Sequence, residues 1–173
     1  MTKNSNDTIN ETIVQVHEHK PEGFLSQVEV AACYIEINGT FLFLQRPEIV
    51  ADSTLASGLR VKSQPGAWGV PAGKIEANET PLQGACRELF EETGIAIEPE
   101  TQMRSLGALY ICRPEVSYIY HLFQIMLDSK PSVTLSHEHQ AYVWVSMDQV
   151  RELNLIGGAY QALEHYRARV SGA

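Results

Sequence analysis

The amino-acid sequence predicts an α/β fold in which a mixed β-sheet is covered by helices on both faces. Three observations predict it. Two β-rich stretches flank Asn38-Gly39, a helix has both of its ends legible between Thr80 and Gly94, and strand-like segments beyond it lead into a C-terminal helical stripe. At 173 residues, 44% of them hydrophobic and 20% charged, the chain suits one domain with a sizeable core.

Taken in order, residues 1–25 are polar and rich in Asn, Thr, Glu and His, with a weak alternation through Ile13, Val14 and Val16. They read as a flexible arm or an edge strand, and residues 26–173 as the domain. Val28 to Ile37 is a mostly buried strand, Asn38-Gly39 a two-residue turn and Thr40 to Leu44 the returning strand. From Arg46 to Gly66 no periodicity is sustained and Ser, Gly and Pro recur, giving a long loop. It reads either as a substrate-recognition lid or as a surface insertion with a short helix around Leu55 to Leu59.

Thr80 is a good N-cap, Pro81 suits the first helical position, Gln83 can complete a capping box and Gly94 ends the helix. Leu82, Ala85, Cys86, Leu89 and Thr93 form its apolar stripe. Leu106 to Ile111, Val116 to Leu127 and Tyr142 to Val145 read as strands, and Met147 to Leu153 as a short helix. Ala159, Ala162, Leu163, Tyr166 and Val170 supply the stripe of a C-terminal helix opened by Gly157-Gly158.

Twenty-one acidic against thirteen basic residues give a net charge of −8, which argues against long nucleic acid as a partner. A small anionic substrate would then need a bound cation. No apolar run is long enough to span a bilayer and the N-terminus lacks a secretory pattern, so neither a membrane nor an export route is expected. Cys33, Cys86 and Cys112 are odd in number and scattered, which fits a reducing, cytoplasmic setting.

Glu88, Glu91 and Glu92 stand at i, i+3 and i+4 of the capped helix, so their carboxylates crowd one face beside the apolar stripe. Such crowding is repulsive in a merely structural helix and becomes attractive around a divalent cation, for which hard oxygen ligands suit Mg²⁺ or Mn²⁺. Glutamates ordinarily do no more than solvate an exposed helix face. Here the surroundings decide otherwise. Gly73, Glu79, Arg87, Glu88, Leu89, Glu91, Glu92, Gly94 and Ile95 occupy the nine defined positions of the pattern G-x5-E-x7-R-E-U-x-E-E-x-G-U, where U is a bulky aliphatic residue. The segment Gly73 to Ile95 thus resembles the Nudix box without a departure, and nine positions at fixed spacing leave little room for chance.

The resemblance implies a Nudix-type α/β/α sandwich and Mg²⁺-dependent cleavage of a pyrophosphate linkage, with Mn²⁺ able to substitute. It implies Glu88, Glu91 and Glu92 as metal ligands, a further ligand from the Ala72 carbonyl, and a supporting ion pair between Glu79 and Arg87 that orients the site. Glu138, in a loop six residues before Trp144, matches the place where family members put another metal-binding glutamate. Glu88 and Glu138 are the two candidates for the base that deprotonates the attacking water. Homodimerisation is a family tendency that no segment here establishes.

Other side chains carry weaker signals. His137 and His139 flank Glu138 but point alternately and lack a third clustered ligand for zinc, so they read as solvated or substrate-facing, as do His17 and His19. Trp68, Tyr110, Tyr118 and Tyr120 could sandwich a base, although core packing is their ordinary role. Arg46, Arg60, Lys62 and Lys74 are candidate phosphate contacts, with solvation the ordinary alternative. The leading substrate reading is a nucleoside triphosphate or its oxidised form. A nucleotide sugar or dinucleotide is the second, and a nucleotide sensor or a partner-binding scaffold without catalysis belongs to a different class.

Overall fold

The computed structural model describes residues 14–49, 53–54, 60–61 and 64–172. In chain order these form β1 (Gln15–His17), β2 (Val28–Ile37), β3 (Thr40–Gln45), β4 (Ser53–Thr54), β5 (Arg60–Val61), β6 (Trp68–Gly69), β7 (Ala72–Lys74), α1 (Pro81–Thr93), α2 (Pro99–Gln102), β8 (Met103–Cys112), β9 (Ser117–Ile125), β10 (Ala141–Ser146), α3 (Met147–Val150) and α4 (Ala159–Ser171). Eight strands make one mixed sheet in the order β1-β8-β9-β2-β3-β10, with β6 beside β3 and β7 beside β2. Among the described strands, only β2 and β9 pair in parallel.

The hairpin forms as the sequence predicts. Ile37 faces Thr40, and Asn38 and Gly39 take φ values of 51° and 71°, the left-handed conformation that a two-residue turn between twisted strands demands. Strand β2 then parts company with its partner. It pairs with β3 only at Glu36 and Ile37, whereas Val30, Ala31 and Ala32 pair with β7. The sheet therefore splits alongside β2, and β7, which carries the first residues of the acidic motif, fills the gap. That short strand was not evident from composition, because Ala-Gly-Lys has no strand signature.

Alternation along β2 divides the core. Ala31, Cys33 and Ile35 pack with Ala85 and Leu89 of α1, while Ala32 and Tyr34 face Leu163 and Tyr166 of α4. The rings of Tyr34 and Tyr166 stack with centroids 4.4 Å apart. A sheet buried on both faces is what the sandwich requires. At the edge, β1 pairs with β8 and Val14 and Val16 pack on the α4 side, so this part of the N-terminal segment is an edge strand.

Several expectations are corrected. Leu82 lies on the α1 stripe by helical angle yet is 39% exposed and packs in neither core cluster. Strand β9 stops at Ile125 rather than Leu127, and β8 starts at Met103, after the unforeseen α2. The loop from Arg46 to Gly66 contains the β4-β5 pair, with Ser53 opposite Val61 and Thr54 opposite Arg60. The short helix expected around Leu55 to Leu59 lies outside the described residues, as do the side chains of Arg60 and Lys62.

Candidate active site

Helix α1 is delimited by its own sequence. Thr80 accepts from the Gln83 N–H, the Gln83 side chain returns the bond to the Thr80 N–H, and Gly94 closes the helix at φ 69° with its N–H on the Phe90 carbonyl. These caps set the rotation of the helix, so Glu88 and Glu92 flank the apolar stripe toward β7, with Glu91 further round. Glu92 is nearest the stripe in angle and is 5% exposed, a correction to the expectation that all three glutamates stay outside the buried face.

Glu92 is held by what surrounds β7. Its carboxylate accepts a 2.9 Å hydrogen bond from the Ala72 N–H, and the His139 Nε2 lies 3.8 Å away. Burial, opposed by that N–H and reinforced by the charges of Glu88 and Glu138, pushes the Glu92 carboxyl up to about 8. Glu88 is also raised, by burial first, against the pull of Arg87. Its carboxyl occupies the space over Gly73 that a Cβ would need. A side chain at position 73 would therefore displace the Glu88 carboxyl from its place beside Arg87.

Arg87 gathers the remaining anions. It bridges both oxygens of Glu79 at 2.7 and 2.9 Å, and donates to Glu88 at 2.8 Å, to Glu91 at 3.1 Å and to the Lys74 carbonyl at 2.9 Å. The expected Glu79–Arg87 pair is present, and Arg87 also restrains two of the clustered carboxylates. Glu79 accepts from the Glu76 N–H as well, and the Arg87 hydrogen bonds hold its carboxyl down at about 2. Arg87 itself is raised above the usual guanidinium value by Glu79.

Glu138 arrives from a distant loop that is stitched on both sides. Thr134 N–H donates to the Thr93 carbonyl and Ser136 N–H to the Glu92 carbonyl, while Gln140 N–H donates to the Gln45 carbonyl at the end of β3. Glu138 is exposed on this loop, with its charge felt by both Glu88 and Glu92. His137 is exposed, whereas His139 turns inward, and burial together with the Arg46 charge lowers it to about 4. His139 was expected to be solvated or substrate-facing. The backbone bonds that seat the loop turn it against Glu92 instead.

Tyr110 packs edge-on against Phe24, and Tyr118, Tyr120 and Trp68 pack on the α4 side of the sheet, the ordinary core role. Lys74 extends into solvent and meets the site through its carbonyl. Arg46 is partly buried, and burial lowers its guanidinium while the charges of Glu92 and Glu138 act to raise it.

A family model described as NUDIX domain matches residues 26–166. The chain belongs to the Nudix family. This Nudix protein is 32% identical over 145 residues to the CTP pyrophosphohydrolase of Escherichia coli (strain K12), spanning 83% of this chain and 94% of that one. It is 30% identical over 121 residues to the asymmetrical bis(5'-nucleosyl)-tetraphosphatase of Rattus norvegicus, spanning 66% of this chain and 81% of that one. The crystal structure of the MutT protein from Methanosarcina mazei Go1 shares the fold, with a TM-score of 0.64 at 23% identity over 84% of this chain and 94% of that one. The Nudix chain is accordingly a pyrophosphohydrolase. No helix among the described residues is long and apolar enough to cross a membrane.

The donor chemistry of the Nudix site fits a divalent cation. Oxygen ligands dominate, and burial, then the charges of Glu88 and Glu138, raise the Glu92 carboxyl, an electrostatic load that a cation would relieve. Among the described residues no three His, Cys, Asp or Glu side chains converge on a single point. Glu88 and Glu91 are turned to Arg87 and Glu92 to Ala72 N–H, the nearest positive partners for mutually repelling carboxylates.

Proposed function

We propose that this Nudix hydrolase cleaves a nucleoside triphosphate, in normal or oxidised form, to the monophosphate and pyrophosphate with Mg²⁺ as cofactor. The observation that carries the reading is the set of carboxylates around β7, where Glu92 is buried beside Glu88 and within the field of Glu138. Glu88, Glu91, Glu92, Glu138 and the Ala72 carbonyl would hold the metal, and Mn²⁺ suits the same oxygens. Bound there, the ion supplies charge neutralisation for the pyrophosphate and lowers the pKa of a coordinated water.

Each side chain has its own part. Arg87 fixes Glu88 and Glu91 while Glu79 fixes Arg87, so the carboxylates are placed before substrate arrives. Glu92 ties α1 to β7 through the Ala72 N–H. Glu138 takes the proton from the attacking water, since it is solvent-accessible and, among the described residues, free of an ion pair, whereas Glu88 has one oxygen engaged by Arg87. The similarity to a CTP pyrophosphohydrolase over nearly its whole length supports a triphosphate. The similarity to a bis(5'-nucleosyl)-tetraphosphatase supports the second reading, a dinucleotide substrate.

Product release measured across nucleoside triphosphates, dinucleotides and nucleotide sugars, with Mg²⁺, with Mn²⁺ and with chelator, tests this. Metal-dependent conversion of a triphosphate to monophosphate is expected. Turnover confined to dinucleotides or sugars would replace the reading with the second one.

A further inference from the structure

His139 combines two features that no other described histidine joins. Its side chain is only 11% exposed, with Nε2 3.8 Å from Glu92 Oε1. Its Nδ1 is buried and has no hydrogen-bond partner among the described residues. His121 and His165, by contrast, place a ring nitrogen on Glu29 at 2.7 Å and on Glu18 at 2.9 Å, ordinary hydrogen-bond distances. The 3.8 Å gap to Glu92 is too long for a hydrogen bond. It is also too short to admit a bridging water, because two consecutive hydrogen bonds of about 2.8 Å need more room. Ring and carboxyl are therefore direct neighbours held just short of bonding.

The unpartnered nitrogen says where the ring carries its proton. Burial, with the Arg46 charge, keeps the imidazole neutral at neutral pH, so it has one N–H and one lone pair. A buried N–H without an acceptor is costlier than a buried lone pair without a donor. The proton accordingly belongs on Nε2, toward Glu92. Glu92 has use for such a donor. The Ala72 N–H holds Oε2 at 2.9 Å, and a single hydrogen bond leaves a carboxyl free to turn, whereas a second donor at Oε1 fixes its plane. Arg87 does not supply it, since among the described residues its carboxylate partners are Glu79, Glu88 and Glu91. The loop is firm enough to present the ring. Ser136 N–H donates to the Glu92 carbonyl itself at 3.3 Å, Gln140 N–H donates to the Gln45 carbonyl, and Val133 and Leu135 pack against the core on the α1 side.

We propose that His139 is a positioning residue for the hydrolase, its Nε2–H aligning the Glu92 carboxyl for a divalent cation and keeping the loop of Glu138 in register with α1. Donor geometry does this rather than charge, so a neutral side chain with an N–H at the same reach can replace it. The proposal rests on the metal-dependent reading above and adds a residue that lies outside the Nudix box.

The test compares the intact wild-type protein with His139→Gln, His139→Asn and His139→Phe. Counted in bonds from Cβ, the amide N–H of glutamine reaches as far as Nε2, that of asparagine falls at Nδ1, and phenylalanine has none. In chelator, nitrogen NMR spectra of isotopically labelled histidine, with His139 assigned by its loss in His139→Phe, should show the proton on Nε2. Mg²⁺ titrated without substrate by calorimetry should bind His139→Asn and His139→Phe about 10- to 100-fold more weakly than wild type, the range for residues that support metal ligands. His139→Gln should recover most of that loss. A proton on Nδ1 would overturn the proposal, as would His139→Gln binding Mg²⁺ no better than His139→Asn, or all three variants matching wild type. If wild type itself binds no Mg²⁺, the metal-dependent reading fails by itself, and the position of the proton still decides whether His139 is aimed at Glu92.

Discussion

The Glu92 carboxylate and the Ala72 N–H meet at 2.9 Å, binding the last turn of α1 to the strand that carries the start of the Nudix box. A carboxylate with one hydrogen bond and 5% exposure is under-compensated, and its chemistry shows it.

Glu92→Gln should remove nearly all activity while the protein stays folded, since the amide oxygen can still accept from Ala72. The expected outcome is an intact far-UV spectrum with turnover at background, and an unfolded variant would mean that the carboxylate is needed for the fold. In chelator, the melting temperature of wild type should decline as pH rises from about 4.5 to about 8. The folded carboxyl is raised to about 8 from its ordinary 4.5, so the native state binds the extra proton and its advantage is lost through that window. Glu92→Gln should flatten the decline.

Glu79 gives the opposite slope. Its carboxyl is held at about 2 by Arg87, so its contribution is present above about 4.5 and is lost as pH falls toward 2. Glu79→Gln should lose stability at neutral pH and be less sensitive to acid, as read from melting curves between pH 2 and 7.

Arg87→Lys keeps the charge but cannot bridge Glu79 while also reaching Glu88, Glu91 and the Lys74 carbonyl. A melting temperature lower by a few degrees and a kcat reduced about 10- to 100-fold are expected, the range seen when residues supporting metal ligands are changed. Wild-type kinetics in this variant would deny Arg87 its positioning role.

Gly73→Ala places a methyl group where the Glu88 carboxyl sits. Activity should fall far more than stability, because Glu88 can swing into solvent but then leaves the cluster. Mg²⁺ titration followed by melting temperature should show a weaker metal response than wild type.

Glu138→Gln should lower kcat about 10²- to 10⁴-fold with the fold unchanged if Glu138 is the base. Loss of the acidic limb of the pH-rate profile is the accompanying sign. A comparable loss in Glu88→Gln, with that limb intact in Glu138→Gln, would move the role to Glu88.

Much of the molecule was legible from local signals. Asn38-Gly39 marked the hairpin because only such residues take two successive positive φ angles cheaply. Thr80, Pro81, Gln83 and Gly94 marked the ends of α1 because caps satisfy the orphan backbone groups of a helix from within a few residues. Spacing alone put Glu88, Glu91 and Glu92 on one face, and the box they belong to carried the family. What lay beyond reach were outcomes of distant segments meeting. Ala-Gly-Lys became β7 because the sheet splits at β2, and Glu92 went inward because β7 supplies its N–H. His139 turned inward because Thr134, Ser136 and Gln140 tie its loop to α1 and β3. By itself the sequence determined the hairpin, the limits of α1, the family and the acidic helix face, since these depend on neighbours a few residues apart. Tertiary structure alone decided which carboxylate is buried and which histidine is shielded, since burial and long-range charge exist only once the chain has folded.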